Sequence, residues 1–230
     1  MKIEKVDFVE GAQQADGVVI VIDVFRAFSV ACYAFANGAS KIIPVGEISD
    51  AHRLKKEISN SILIGERGGK MLEGFDFGNS PTEILKVDFS GKTLVHTTHA
   101  GTQGLVNVTH GDAIFTGAFV NASATTQYVK SLSPRKVTLV RMGLEAEGRS
   151  DEDDLCAEYL ESLLANIPFN IEKVKTTLRD SPFSARFFDP QKPWSPPTDF
   201  DLCLEVNRFD FAVQAIKGKD KILCLKKVFV

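Results

Sequence analysis

No apolar run in the chain approaches the roughly 20 residues that a membrane-spanning helix needs. Residues 1–10 alternate charge with apolarity where a secretory leader would carry an uninterrupted apolar core. The expectation is a soluble, cytoplasmic protein with no membrane partner. Cysteine is sparse. Cys32, Cys156, Cys203 and Cys224 lie far apart, none forms a Cys-x-x-Cys pair, and three sit in apolar stretches. They read as reduced core thiols and not as a disulfide or zinc framework. His52, His96, His99 and His110 lack the His-x-x-x-His spacing of a zinc site. There is no Gly-x-Ser-x-Gly elbow for a serine hydrolase, and no loop ending in Gly-Lys-Ser/Thr to cradle a nucleotide. An excess of positive charge is missing too: the net charge is −3 and the basic residues are scattered. This excludes a general nucleic-acid binder, so any anion held here is small.

What is present is an alternation. With 230 residues and 44% hydrophobic content, the chain suffices for one large domain; a domain of this size buries roughly 70% of the surface of its unfolded form. The apolar run 18–22 is followed by a helix-like stretch at 25–36 and a second run at 41–45. Ser49 then reads as the N-cap of a polar helix through Ile58, and 61–64 as a third strand. The order recurs with a strand at 93–97, a helix from about Thr102, a strand at 113–116, a helix at 121–132 and a strand at 136–140. Two similar β-α-β-α-β halves, about 17–70 and 92–143, predict a three-layer α/β fold. Its sheet is largely parallel or mixed, with helices on both faces. Residues 72–88 join the halves. Beyond them the pattern predicts a helix at 150–165, a proline-rich loop at 189–197, a final helix near 201–216 and a terminal strand at 221–229. No linker marks a second domain. In such sheets ligands gather outside the carboxyl ends of the strands, so chemistry is expected just after each strand.

Asp23 and Arg26 follow the first strand, Glu66 and Arg67 the third, Thr97, Thr98, His99 and Thr102 the fourth, and Asn121 and Ser123 the fifth. An Asp and a Glu are hard oxygen ligands of the kind magnesium prefers, and guanidinium groups are planar donors to phosphate, sulfonate or carboxylate. Plainer readings stand beside these: Asp23 as a helix N-cap with Arg26 as its surface partner, and Glu66-Arg67 as an exposed turn pair among glycines. The segment 97–102 ends a strand and opens a helix, where hydroxyls and free amides can cradle an anion; capping alone would also account for it, and for Asn121 and Ser123. Ser150 precedes four consecutive acids, 151–154. A serine cap and the helix dipole account for one or two of them; Glu152 or Asp153 would suit a cation if the helix start faces the cleft. His99 is either a proton donor or a turn residue.

Taken together, the segments Ile22-Asp23-Val24-Phe25-Arg26-Ala27, Gly65-Glu66-Arg67-Gly68, 74–81 (GFDFGNSP), 117–124 (GAFVNASA), 150–153 (SDED) and 207–210 (NRFD) resemble the 2-phosphosulfolactate phosphatase family along most of the chain. The family's Thr-Thr-Asn-Gly-Thr segment stands here as Thr-Thr-His-Ala-Gly-Thr, one residue longer. The resemblance implies magnesium-dependent hydrolysis of 2-phosphosulfolactate to sulfolactate and inorganic phosphate, a reaction of the coenzyme M biosynthesis type. On that reading Asp23, Arg26, Glu66 and Arg67 are catalytic. Asp23, Glu66, Glu152 and Asp153 hold Mg2+, and Asn79, Thr97, Thr98, Gly101, Thr102, Asn121 and Ser123 bind a small anionic phosphorylated substrate. Whether Asp23 attacks phosphorus or ligates the cation stays open. A non-catalytic binder of an organic acid and a phosphoryl transferase are the competing readings, and a symmetric homodimer is the expectation from the usual symmetry of soluble proteins.

Overall fold

A computed structural model describes residues 1–218 and 222–230. The chain opens with β1 (Lys2–Asp7) and α1 (Phe8–Gln14). The first half follows as β2 (Asp16–Ile22), α2 (Ala27–Ala36), β3 (Lys41–Pro44), α3 (Ile48–Glu57) and β4 (Ser61–Arg67). β5 (Lys70–Met71) and the short α4 (Pro81–Ile84) lead to the second half: β6 (Thr93–Thr97), α5 (Gly101–Asn107), β7 (His110–Gly117), α6 (Ala122–Ser131) and β8 (Lys136–Arg141). The remainder comprises α7 (Asp151–Ala165), α8 (Glu172–Arg179), a 3-10 segment (Pro182–Phe188), α9 (Pro197–Cys203), β9 (Ala212–Lys217) and β10 (Leu223–Val228).

The strands form a ten-stranded mixed sheet in the order β1-β8-β2-β7-β9-β10-β3-β6-β4-β5. The two halves are read correctly from sequence, but they do not sit side by side. β2, the first strand of one half, is paired in parallel between β7 and β8 of the other. Conversely, β6 is paired in parallel between β3 and β4. The β9–β10 hairpin joins the two groups through antiparallel pairs with β7 and β3. Strand twist adds roughly 20–25° per step, on the order of 100° over the five steps from β2 to β6. The two groups therefore cross, and their carboxyl ends can face a common cleft.

Central strands are buried on both faces, which is why they read as continuous apolar runs. Along β2, Val18, Ile20 and Ile22 enter one hydrophobic cluster with α6, α7 and α9, while Val19 and Val21 enter another with α2 and α5. Each such side chain contributes roughly 1.5–3 kcal/mol by burial. On the far side, Ile43, Leu63 and Val95 pack against Ala51 and Leu54 of α3.

Three expectations are corrected. The predicted final helix ends at Cys203, and residues 212–217 are a strand whose burial switches from inside to outside over six residues. So short an apolar run carries no period that separates helix from strand, and Asn207 at φ 56° breaks the chain between them. The terminal strand begins at Leu223; its expected start, Lys221, lies outside the described residues. The N-cap of α3 is Glu47 and not Ser49. β1 and α1 carried no expectation, because the apolar residues of Lys2–Asp7, Ile3 and Val6, stand three positions apart and not at the strand period of two. Among the described residues no helix is long and apolar enough to cross a membrane.

Candidate active site

Asp23 leaves the end of β2, Glu66 lies near the end of β4, His99 follows β6, and Glu152 opens α7. All four line one cavity of about 410 Å³. Asp23, Glu66 and Glu152, three of the four acids expected to converge, therefore share it. Asp23 Oδ1 accepts the Ala27 amide at 3.1 Å, and the Gly101 amide also favours its charged form. Burial nevertheless pushes the carboxyl up from 3.8 to about 6, assisted by the negative charge of Glu66. Glu152 is pushed from 4.5 to about 7, first by burial and then by Asp23, against the opposing field of Arg186. Its Oε2 is buried without a hydrogen-bond partner. Glu66 is fixed differently: its two carboxylate oxygens accept the amides of Gly69 at 2.7 Å and His99 at 2.9 Å.

Each of the four consecutive acids of α7 turns to its own surroundings, which confines their mutual repulsion to Glu152 and Asp153. Asp151 accepts from Ser181 Oγ at 2.7 Å, and Asp154 pairs with Arg141 and Arg149. Asp153 takes the amides of Val24 at 2.9 Å and Gly143 at 2.8 Å. Glu152 is the one among them that lines the cavity. Asp153, expected beside it as a ligand, instead ties the loop after β2 to the loop after β8. Burial and the charges of Asp23 and Glu152 hold its carboxyl well above the usual range.

Other predicted residues are placed away from the cavity. Thr98 and Thr102 bond reciprocally, each hydroxyl accepting the other's amide at 3.1 and 2.8 Å, and so close the first turn of α5. Thr97 Oγ1 accepts from Arg67 and donates to the Gly46 carbonyl. Arg67 also donates to the Glu66 and Gly46 carbonyls and does not line the cavity. Asn121 donates to the Phe211 carbonyl, and the Ser123 amide donates to Asn207 Oδ1. The segment 97–102 is thus an anion cradle, but for the protein's own carboxylates: the His99 amide faces Glu66 and the Gly101 amide faces Asp23. Asn79 and Arg26 do line the cavity, Asn79 with its Oδ1 3.1 Å from His96 Nε2.

The far wall comes from the 3-10 segment at 182–188, for which there was no expectation, and from the proline-rich loop expected at 189–197. Phe183, Arg186, Asp189, Lys192, Trp194 and Ser195 all line the cavity. The strap they form is anchored by Arg26, which donates to the Trp194 carbonyl at 2.7 Å and the Gly69 carbonyl at 2.9 Å. Its signal in the sequence was the arginine among aromatics, Phe183 to Phe188, next to a proline-rich run longer than a connection requires.

A protein-family model described as 2-phosphosulpholactate phosphatase matches residues 4–192. The chain belongs to this family. A protein of Bacillus subtilis named probable 2-phosphosulfolactate phosphatase is 30% identical over 213 residues, 92% of each chain. One of the same name from Caldicellulosiruptor saccharolyticus is 40% identical over 158 residues, 66% of this chain and 65% of its own length. A third, from Carboxydothermus hydrogenoformans, is 40% identical over 166 residues, 72% of this chain and 68% of its own. The stretch shared with this phosphatase family spans Asp23, Glu66, Glu152 and Arg186; Trp194 and Asp199 lie beyond it.

The site can be tested for its fit to a divalent cation. Among the described residues no three His, Cys, Asp or Glu side chains form a ready cage. Magnesium does not require one, since it is ordinarily held by one or two carboxylates, several waters and a substrate phosphate. The lining carries five acids, Asp23, Glu66, Glu145, Glu152 and Asp189, against three bases, Arg26, Arg186 and Lys192. A dianionic phosphate entering that excess of negative charge is repelled unless a cation accompanies it. Hard oxygens, surplus negative charge and an unpartnered Glu152 oxygen suit magnesium.

Proposed function

We propose that the chain hydrolyses the phosphate monoester of a small polyanionic 2-hydroxy acid, with 2-phosphosulfolactate as the substrate and Mg2+ as the cofactor, in the manner of coenzyme M biosynthesis. The observation that carries this reading is the meeting of Asp23, Glu66 and Glu152, 43 to 129 positions apart in the chain, in one cavity whose acids outnumber its bases. Asp23 and Glu152 would hold the cation, which acts as a Lewis acid that withdraws charge from the phosphoryl oxygens.

The residues of the chain divide the remaining work. Glu66, locked by two amides, offers its remaining lone pairs at a fixed position. Asn79 presents an amide to the cavity, and the apolar faces of Phe183 and Trp194 exclude water from its outer side. In the reaction a water oxygen bonds to phosphorus as the ester P–O bond breaks, the departing alkoxide takes a proton to become the hydroxy acid, and the proton lost by the water restores the donor. His99 lines the cavity with Nδ1 buried and unpaired, and is the group we assign to that proton. The deciding assay is phosphate release from 2-phosphosulfolactate with and without Mg2+. Asp23→Asn should abolish release and leave the circular dichroism spectrum unchanged. Tight ligand binding in chelator without turnover would instead establish a non-catalytic binder, and release dependent on an added alcohol a transferase.

A further inference from the structure

Arg186 stands in an unusual electrostatic position. It belongs to the 3-10 segment Pro182–Phe188, so it arrives from the covering strap and not from a strand end. Its Nη2 donates to the Phe25 carbonyl at 2.9 Å, and its guanidinium lies 5.0 Å from the Phe187 ring. Its Nε is buried with no partner. Glu152, Asp23 and Glu66 all favour its charged form from across the cavity, while its hydrogen bond goes to the Phe25 carbonyl. Across the same cavity, Glu152 Oε2 is also buried and unpartnered.

An unpaired donor and an unpaired acceptor that share a polar cavity without touching leave between them a space that is complete only when something answers both. A cation alone would satisfy Glu152 and repel Arg186. An anion alone would satisfy Arg186 and repel the three carboxylates. A cation and an anion together satisfy both sides. The other guanidiniums cannot serve in this way. Arg26 has Nη1 engaged by Asp199 and the Trp194 carbonyl and Nη2 by Gly69. Arg67 is held by Glu66, Gly46 and Thr97 outside the cavity.

We propose that Arg186 serves the two charges of the cavity in turn: from where it stands, its positive field offsets the Asp23, Glu66 and Glu152 cluster while no cation is bound, and its guanidinium holds the phosphoryl oxygens once a cation has taken over that offset. The inference rests on the phosphatase reading for its ligands but makes its own demand, namely that removing Arg186 moves cation affinity and phosphate affinity in opposite directions. Without the guanidinium the carboxylates lose a competing positive charge, so a cation binds them more tightly. The phosphoryl group loses a charge-assisted, forked donor and binds less tightly.

The test is calorimetric titration of wild type and Arg186→Ala with Mg2+ alone, followed by inorganic phosphate in saturating Mg2+. The variant should bind Mg2+ about tenfold more tightly and phosphate roughly 10- to 100-fold more weakly. With substrate, kcat/KM should fall on the order of 10²- to 10³-fold, and added guanidinium ion should restore part of it, a recovery that a merely packing role would not give. Arg186→Lys keeps the charge and loses the fork, so its Mg2+ affinity should stay near wild type while phosphate affinity remains reduced. It also serves where Arg186→Ala fails to fold. Unchanged binding of both ions, or equal weakening of both, would overturn the proposal. If wild type releases no phosphate, the phosphatase reading fails on its own, and the two ion titrations still decide the role of Arg186.

Discussion

Arg26 and Asp199 form an ion pair of 2.6 Å with both side chains buried. The second oxygen of Asp199 accepts Ser80 Oγ at 2.7 Å and the Thr82 amide at 3.0 Å. The pair is therefore a joint between α9, α4 and the loop after β2, and it determines where Arg26 can reach. Breaking it from one side leaves an uncompensated buried guanidinium. Asp199→Ala is expected to lower stability by roughly 3–5 kcal/mol, read as a shift in the urea unfolding midpoint. Asp199→Asn, which still accepts from Ser80, should lose less.

Gly101 is placed where a side chain cannot be. A Cβ there would lie 2.7 Å from Asp23 Oδ2 and 2.8 Å from the Ala27 Cβ. Gly101→Ala must displace the Asp23 carboxylate, and a displacement of about 1 Å in a catalytic group can reduce turnover on the order of 100-fold. The expected result is a folded protein with kcat reduced by that order and weakened Mg2+ binding. Wild-type kinetics in this variant would contradict the placement of Asp23 at the reacting centre.

Acid groups held at about 6 in Asp23 and about 7 in Glu152, against 3.8 and 4.5 ordinarily, bind protons in the folded chain that the unfolded chain has already released. Between about pH 4 and 7 the native state then carries more protons, so in chelator these groups make stability fall as pH rises, by about 3 kcal/mol for Asp23. Asp23→Asn removes its share. Relative to wild type in chelator, the variant should be more stable at pH 8 and no more stable at pH 4. Mg2+ should raise the wild-type midpoint more at pH 8 than at pH 5. A gap between the two proteins that does not change with pH would count against the buried, protonated carboxyl.

His96 is buried on β6, and burial, reinforced by the charge of Arg67, lowers it from 6.5 to about 4. It is therefore neutral at physiological pH, and its Nε2–H donates to Asn79 Oδ1, which turns the Asn79 NH2 toward the cavity. Asn79→Asp exchanges that donor for a negative acceptor, and KM for a phosphorylated acid should rise about tenfold or more. His96→Phe fills the space without fixing the amide and should raise KM less, while His96→Gln, which keeps a donor, should stay nearer to wild type.

The layers and most strands were legible because fully buried parallel strands announce themselves as apolar runs: residues 18–22, 93–97 and 136–140 each became the core of a strand. Asp23 and Glu66 were legible by position, following or ending strands at the carboxyl edge, and Glu152 by its place in the acid run that opens α7. What the spacing could not convey was orientation. Asp153 is adjacent to Glu152 but turns to the amides of Val24 and Gly143; a helix rotates 100° per residue, and no composition rule says which acid faces inward. Arg67 and Thr98 likewise had the right chemistry and internal partners. Arg186 was missed because it comes from an irregular segment, where neither the period-2 nor the period-3.6 pattern applies.

The placement of β2 between β7 and β8, and of β6 between β3 and β4, means that neither half owns a complete parallel group. A fragment cut between the halves would expose unpaired strand edges on both products, and each could be satisfied only by the other. The molecule is in effect a strand-exchanged pair fused into one polypeptide. Its assembly must wait for segments far apart in synthesis to interlock before either sheet edge is sealed, which favours slow, all-or-none folding over stepwise growth from the N-terminus.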